Sequence, residues 1–62
     1  MKNTDFVTIN IYNNDYADVI TEQGTIYTDR QGAYGFIAAA RITHKEVGYT
    51  RYANGDQTYW FN

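Results

Sequence analysis

The residues of this chain that could do chemistry are few, and their kinds already narrow the field. Of 62 residues, none is cysteine and one is histidine, His44. Disulfides, thiolate metal sites and cysteine nucleophiles are therefore absent together. Serine does not occur either, so a nucleophile would have to be threonine, lysine, tyrosine or a carboxylate, with His44 as the single imidazole base. Flanked by Lys45 and Glu46, His44 reads as a solvated cation at the end of a helix. Asp15 with Asp18, or Asp29 with Asp56, could be sought as the paired carboxylates of glycoside chemistry, but that pair needs a cleft around a substrate. Asn13, Asn14, Asp15 and Asp18 superficially resemble a calcium loop and lack its interior glycine and closing glutamate. Gly32 and Gly35 form no phosphate-cradling motif. The residues thus point away from an enzyme, and no cofactor or metal is expected.

What remains is recognition. Aromatic residues make up 18% of the chain and seven of them are tyrosine. Tyr, Trp and Arg are the side chains that anchor interfaces, and the C-terminal segment concentrates Tyr49, Arg51, Tyr52, Tyr59, Trp60 and Phe61. Tyr49, Arg51, Trp60, Tyr52, Lys45 and Arg41 are the candidate partner-binding residues. The same mixture of aromatic and basic groups would suit a single-stranded nucleic-acid binder, which stacks bases on rings and holds the backbone with cations. The formal charge of −2 opposes that alternative. Charge is also polarised along the chain. Residues 1–29 set Lys2 against Asp5, Asp15, Asp18, Glu22 and Asp29, a balance of −4; residues 30–62 set Arg30, Arg41, Lys45 and Arg51 against Glu46 and Asp56, a balance of +2.

The elements that must position these groups are legible from periodicity. Residues 6–12 alternate, with Val7, Ile9 and Ile11 on one face and Phe6, Thr8, Asn10 and Tyr12 on the other, which is a strand. Asn13, Asn14 and Asp15 tolerate left-handed geometry and end it. Residues 19–22 and 25–28 are nearly all β-formers and read as a hairpin across Gln23-Gly24; the alternative is a short helix capped by Asp15. In residues 30–45, Ala33, Phe36, Ile37 and Ala40 share one face at helical spacing, Asp29 stands at the N-cap, and Arg41, His44 and Lys45 close the last turns. Gly32 and Gly35 cost helix propensity and so mark a frayed start or a close backbone contact; the competing reading makes residues 34–43 a strand and the domain an all-β meander or barrel. Residues 47–52 and 57–61 flank Asn54-Gly55, a strong hairpin signature. With those two as the loop, Tyr49 faces Trp60 and Arg51 faces Thr58. Tyr49, Arg51, Thr58 and Trp60 then share an exposed face, while Thr50, Tyr52, Gln57, Tyr59 and Phe61 share the other, with Tyr59 and Phe61 in the core.

The expectation is one α+β domain spanning residues 1–62: a small antiparallel sheet, one helix, and a C-terminal hairpin. A chain this short buries only about 60% of its unfolded surface, and with neither disulfide nor metal to reinforce it a homodimer is expected. No apolar run approaches membrane-spanning length, and residues 1–5 show no apolar stretch of a secretory signal, so cytoplasmic residence is expected. Function is expected to be protein binding. Small, tyrosine-rich, catalytically blank chains suit a viral or mobile-element type of stoichiometric inhibitor, acting against bacterial defence or a nucleic-acid-processing complex.

Overall fold

The computed structural model describes residues 7–62. Phe6, placed by its alternation at the start of the first strand, lies outside the described residues. The order of elements is β1 (Val7–Ile11), β2 (Tyr16–Thr21), β3 (Gly24–Asp29), α1 (Arg30–Thr43), β4 (Glu46–Arg51) and β5 (Gln57–Phe61). All neighbouring strands are antiparallel in one open sheet of order β3-β2-β1-β5-β4. The fold is α+β, and the all-β alternative is not adopted.

The helix begins where the capping chemistry placed it. The Asp29 carboxylate accepts from the Gly32 amide at 2.8 Å, satisfying one of the first-turn donors. A Cβ at residue 32 would run into the Thr28 hydroxyl, so Gly32 permits the close approach of the helix start to β3. The helix ends at Thr43, with His44 as C-cap donating its amide to the Ala40 carbonyl, two residues short of the expected 30–45 span. Lys45 pairs instead with Asn62 through both backbone groups, at 3.0 and 2.7 Å.

Ala33, Ile37 and Ala40 pack on Ile9, Ile11, Ala17, Val19 and Phe61, with Val7 and Tyr59 at the margin. Two alanines in the helix seam bring the helix backbone close to the sheet, which suits a core with no leucine. Phe36, grouped with this face by spacing, lies at its flank and stays partly exposed. The helix packs chiefly on β1 and β2, the centre and one side of the sheet, and β4 extends beyond it.

Three turns fix the registers. At the first, the Tyr12 amide donates to Tyr16 O at 2.7 Å and the Asp15 amide to Tyr12 O at 3.0 Å, with Asp15 at φ 81°. This is a three-residue loop closed by a left-handed residue, and β2 starts at Tyr16, three residues before the expected 19. The second loop is Glu22-Gln23 rather than Gln23-Gly24, since Gly24 is already paired with Thr21. The third repeats the geometry of the first: the Tyr52 amide donates to Asp56 O at 2.8 Å, the Gly55 amide to Tyr52 O at 3.0 Å, and Gly55 has φ 97°.

That third loop overturns the hairpin register expected from a two-residue Asn54-Gly55 turn. Ala53 joins the loop, so Tyr49 faces Tyr59, Thr50 faces Thr58 and Arg51 faces Gln57. A shift of one residue moves every β4 side chain to the opposite face. Tyr49 and Arg51 therefore lie on the helix side with Gln57, Tyr59 and Phe61, and Trp60 shares the uncovered side with Thr58 and Thr50. The cause is local and tertiary at once. Asn54 Oδ1 accepts from the Asp56 amide at 3.0 Å, and Asn13 docks on the loop, its amide donating to Asp56 Oδ1 at 2.9 Å and its Nδ2 to Asn54 O at 2.7 Å. The placement of Phe61 and Tyr59 on the core side is as expected, because β5 pairs with β1 in the register Ile9 to Tyr59.

Candidate functional site

Among the described residues one helix covers one face of the sheet and no element covers the other, so the strands themselves build a second, uncovered face. Registry across all five strands aligns it into rows. The central row runs Tyr27, Asp18, Asn10, Thr58, Thr50. Three of its members are bonded in sequence and Tyr12 joins from the adjoining row: Thr58 Oγ1 donates to Asn10 Oδ1 at 2.8 Å, Asn10 Nδ2 donates to Asp18 Oδ1 at 2.9 Å, and Tyr12 OH donates to Asp18 Oδ2 at 2.9 Å. Thr58 is buried despite its hydroxyl because this ladder satisfies it. On one side of the ladder lies the row Thr25, Ile20, Thr8, Trp60, Gly48. The indole of Trp60 lies across Gly48, where an added Cβ would come within 2.9 Å of the ring. On the other side Tyr16, Tyr12 and Asp56 are neighbours across β2, β1 and the β5 end of the last loop.

Between that last row and the ladder is a cleft of about 510 Å³, whose walls include Tyr12, Tyr16, Tyr27, Asp18, Asp56 and Asn54. Each wall has a reason in the sequence. Alternation along β1 and β2 puts Tyr12, Tyr16 and Asp18 on the side away from Ile11, Ala17 and Val19. The Asn13-Asn14-Asp15 turn carries Asn13 against the last loop, which brings Asp56 to the rim. Both carboxylates are held in place, Asp18 by Asn10 and Tyr12, and Asp56 by the Asn13 amide and Asn54 Nδ2.

The electrostatics are acidic. The hydrogen bond to Asp18 is the largest influence on the Tyr12 phenol and holds its pKa above the ordinary value of 10.0, with burial and the charges of Asp18 and Asp56 adding in the same direction. The ion pairs among the described residues are Arg30 with Asp15 at 2.7 Å and Arg41 with Glu46 at 3.1 Å. Neither engages Asp18 or Asp56. Arg30 is occupied by the Asp15 carboxylate and the Tyr12 carbonyl.

The residues singled out from the sequence are distributed differently. Arg41 and Tyr49 come together on the helix side around Tyr59, whose ring centroid lies 4.7 Å from that of Tyr49 and whose pKa is raised first by burial and then by Tyr49 and Tyr34. Tyr49 OH donates to Gln57 Oε1 at 3.0 Å. Arg51 is exposed at the end of edge strand β4, Tyr52 is exposed at the mouth of the last loop, and Lys45 is exposed beside the helix end. Of the six, Trp60 lies on the uncovered face and is half-buried. Sequence reading did not single out the group formed by Tyr12, Tyr16, Asp18, Tyr27 and Asp56. Its one available signal was the polar side of β1, where Asn10 and Tyr12 sit opposite the apolar alternation.

The architecture defines a small α+β domain: a five-stranded antiparallel sheet backed by a single helix, with the other face uncovered and acidic-aromatic at one end. Compared with family models, curated proteins and solved structures, the chain matches none. Among the described residues no helix is long and apolar enough to cross a membrane.

Proposed function

We propose that this chain is a non-enzymatic protein-binding module that engages its partner through the sheet face opposite the helix. The observation that carries the reading is the uncovered face itself. One helix serves five strands, and Tyr12, Tyr16, Tyr27, Ile20 and Trp60 stand on the side it does not reach. Aromatic groups held on a sheet offer area with little rotamer entropy to lose, which is what an interface core requires. Within the ladder the buried Thr58 hydroxyl is already satisfied by Asn10, while Asp18 keeps acceptor capacity for a partner's donor.

The cleft offers phenols and carboxylates, with the Tyr12 hydroxyl bonded to Asp18, and the proposed action is occupancy rather than catalysis. The proposed mode is accordingly stoichiometric inhibition, with a bacterial defence or nucleic-acid-processing complex as the target class favoured from the sequence. The acidity of the cleft weighs against single-stranded nucleic acid on this face, since phosphates would meet Asp18 and Asp56 and, among the described residues, no basic side chain in the cleft lining.

The test is comparative capture. Ile20→Glu alters the uncovered face, and Ile42→Glu alters the outer helix surface, where residue 42 is 85% exposed. A partner retained by wild type and Ile42→Glu but lost by Ile20→Glu, with Trp60 emission changing on binding, is the expected result. A partner lost only with Ile42→Glu, or none retained by wild type, refutes the reading.

A further inference from the structure

We propose that the cleft bounded by Tyr12, Tyr16, Tyr27, Asp18 and Asp56 is a receptor for an arginine side chain projecting from the partner protein. This rests on the uncovered face being the binding surface and names the chemistry of its most specific contact. Three observations converge on a guanidinium. First, the space is an open cleft of about 510 Å³, which admits a side chain from a partner's surface. Second, its two carboxylates are set in position by bonds from neutral groups, Asn10, Tyr12, Asn54 and the Asn13 amide. A carboxylate offers about four lone-pair sites, so each retains acceptor capacity toward an incoming cation. Third, no cation of the described ion pairs neutralises either of them, and a positive group entering the cleft meets two fixed negative charges.

The tyrosines decide between cations. Tyr16 and Tyr27 lie on neighbouring strands beside Asp18, with Tyr27 directly opposite it and 80% exposed. Their ring faces are electron-rich, and a planar guanidinium can stack on a ring while its edge donates to a carboxylate. An ammonium is a point charge, more strongly hydrated, and cannot use both kinds of wall at once. A phosphate or carboxylate ligand is repelled by Asp18 and Asp56. An uncharged apolar group would leave both carboxylates desolvated and unpaired. The surrounding face, with Ile20 and Trp60 along the same strands, gives the remainder of a protein segment something to cover, which assigns the arginine to a polypeptide.

Amide chemical shifts of the intact chain, titrated with blocked Gly-Arg-Gly, Gly-Lys-Gly and Gly-citrulline-Gly peptides, test this directly. Citrulline keeps the shape of arginine and loses its charge. The arginine peptide is expected to give saturable shifts confined to residues 12–18, 27 and 54–56, the lysine peptide to bind several-fold more weakly, and the citrulline peptide not to bind. Asp18→Asn and Asp56→Asn should each weaken arginine binding about tenfold, as loss of a charge-assisted pair implies. Tyr27→Ala, at an exposed edge position that the fold does not need, should weaken it about threefold, the loss of one ring contact. Equal binding of citrulline, lysine binding as tightly as arginine, or shifts elsewhere overturns the assignment. Failure of the peptides while Ile20→Glu still abolishes partner capture refutes the arginine receptor alone; capture insensitive to Ile20→Glu refutes the binding face whatever the peptides do.

Discussion

Replacing Gly48 by alanine adds one methyl group at the place where the structure has least room for it. Its Cβ would lie 2.9 Å from Trp60 Cε3, closer than carbon atoms normally approach, with two further ring atoms at 3.7 Å. The indole cannot withdraw freely, since it is half-buried on a central part of the sheet between Thr8 of β1 and Gly48 of β4. Over-packing of this sort costs about 1–3 kcal/mol. Opposing it, Gly→Ala in a strand gains about 0.5–1 kcal/mol from the smaller entropy of the unfolded chain. The net expected loss is about 1–2 kcal/mol. A domain of 62 residues has of order 3–9 kcal/mol in total, so the change lowers the melting temperature by several degrees. Urea denaturation followed by circular dichroism and by the emission of the single tryptophan measures it. The decisive comparison is a double-mutant cycle. In a Trp60→Ala background the clash is gone, and Gly48→Ala should become neutral or stabilising, leaving a coupling of about 1–3 kcal/mol. A Gly48→Ala protein as stable as wild type, or the same loss in both backgrounds, would refute the packing of Trp60 over β4.

Phe61→Ala should be far more damaging than any change on the uncovered face, at about 3–5 kcal/mol, because Phe61 is 1% exposed at the centre of the core; a loss under about 1 kcal/mol in the same urea assay would contradict the assigned faces. Tyr12 and Tyr59 both have pKa values raised above 10.0 in the fold. The unfolded chain would therefore ionise first, so their contribution to stability is complete below about pH 10 and is lost as pH rises through their folded values. Ultraviolet phenolate titration should find a late-ionising component, coupled to alkaline unfolding, that Tyr12→Phe and Tyr59→Phe each diminish, and a titration unchanged by both substitutions would contradict it. The homodimer expected from size could pair along β3, which among the described residues is an edge strand without lysine, proline or bulge, whereas edge strand β4 carries a register irregularity between Glu46 and Gly48. Sedimentation should show a mass that rises with concentration, and a monomer at all concentrations would exclude self-association.

The sequence by itself determined what local chemistry can determine. The alternation of Val7, Ile9 and Ile11 specified β1 and its buried face, because period two admits no other regular element. Asp29 and the alanines specified a helix start to within a residue, since capping and propensity act over one turn. The Asn13-Asn14-Asp15 cluster was readable as a turn from its residue types, and the assembled loop makes Asp15 its left-handed member. The register of the last hairpin was not readable in this way. Asn54-Gly55 serves a two-residue loop and a three-residue loop alike, and the choice falls to Asn13, forty-one residues away from Asn54, which docks on the loop only when β1 and β5 are already paired. That single residue of loop length moved Tyr49 and Arg51 to the helix side and left Trp60 without them. The candidate cleft is tertiary for the same reason: Tyr12, Asp18, Tyr27 and Asp56 lie in four strands or loops, none marked by a motif. They meet only because antiparallel pairing stacks four separate alternations in register, and pairing between distant strands is a property of the assembled sheet rather than of any segment in it.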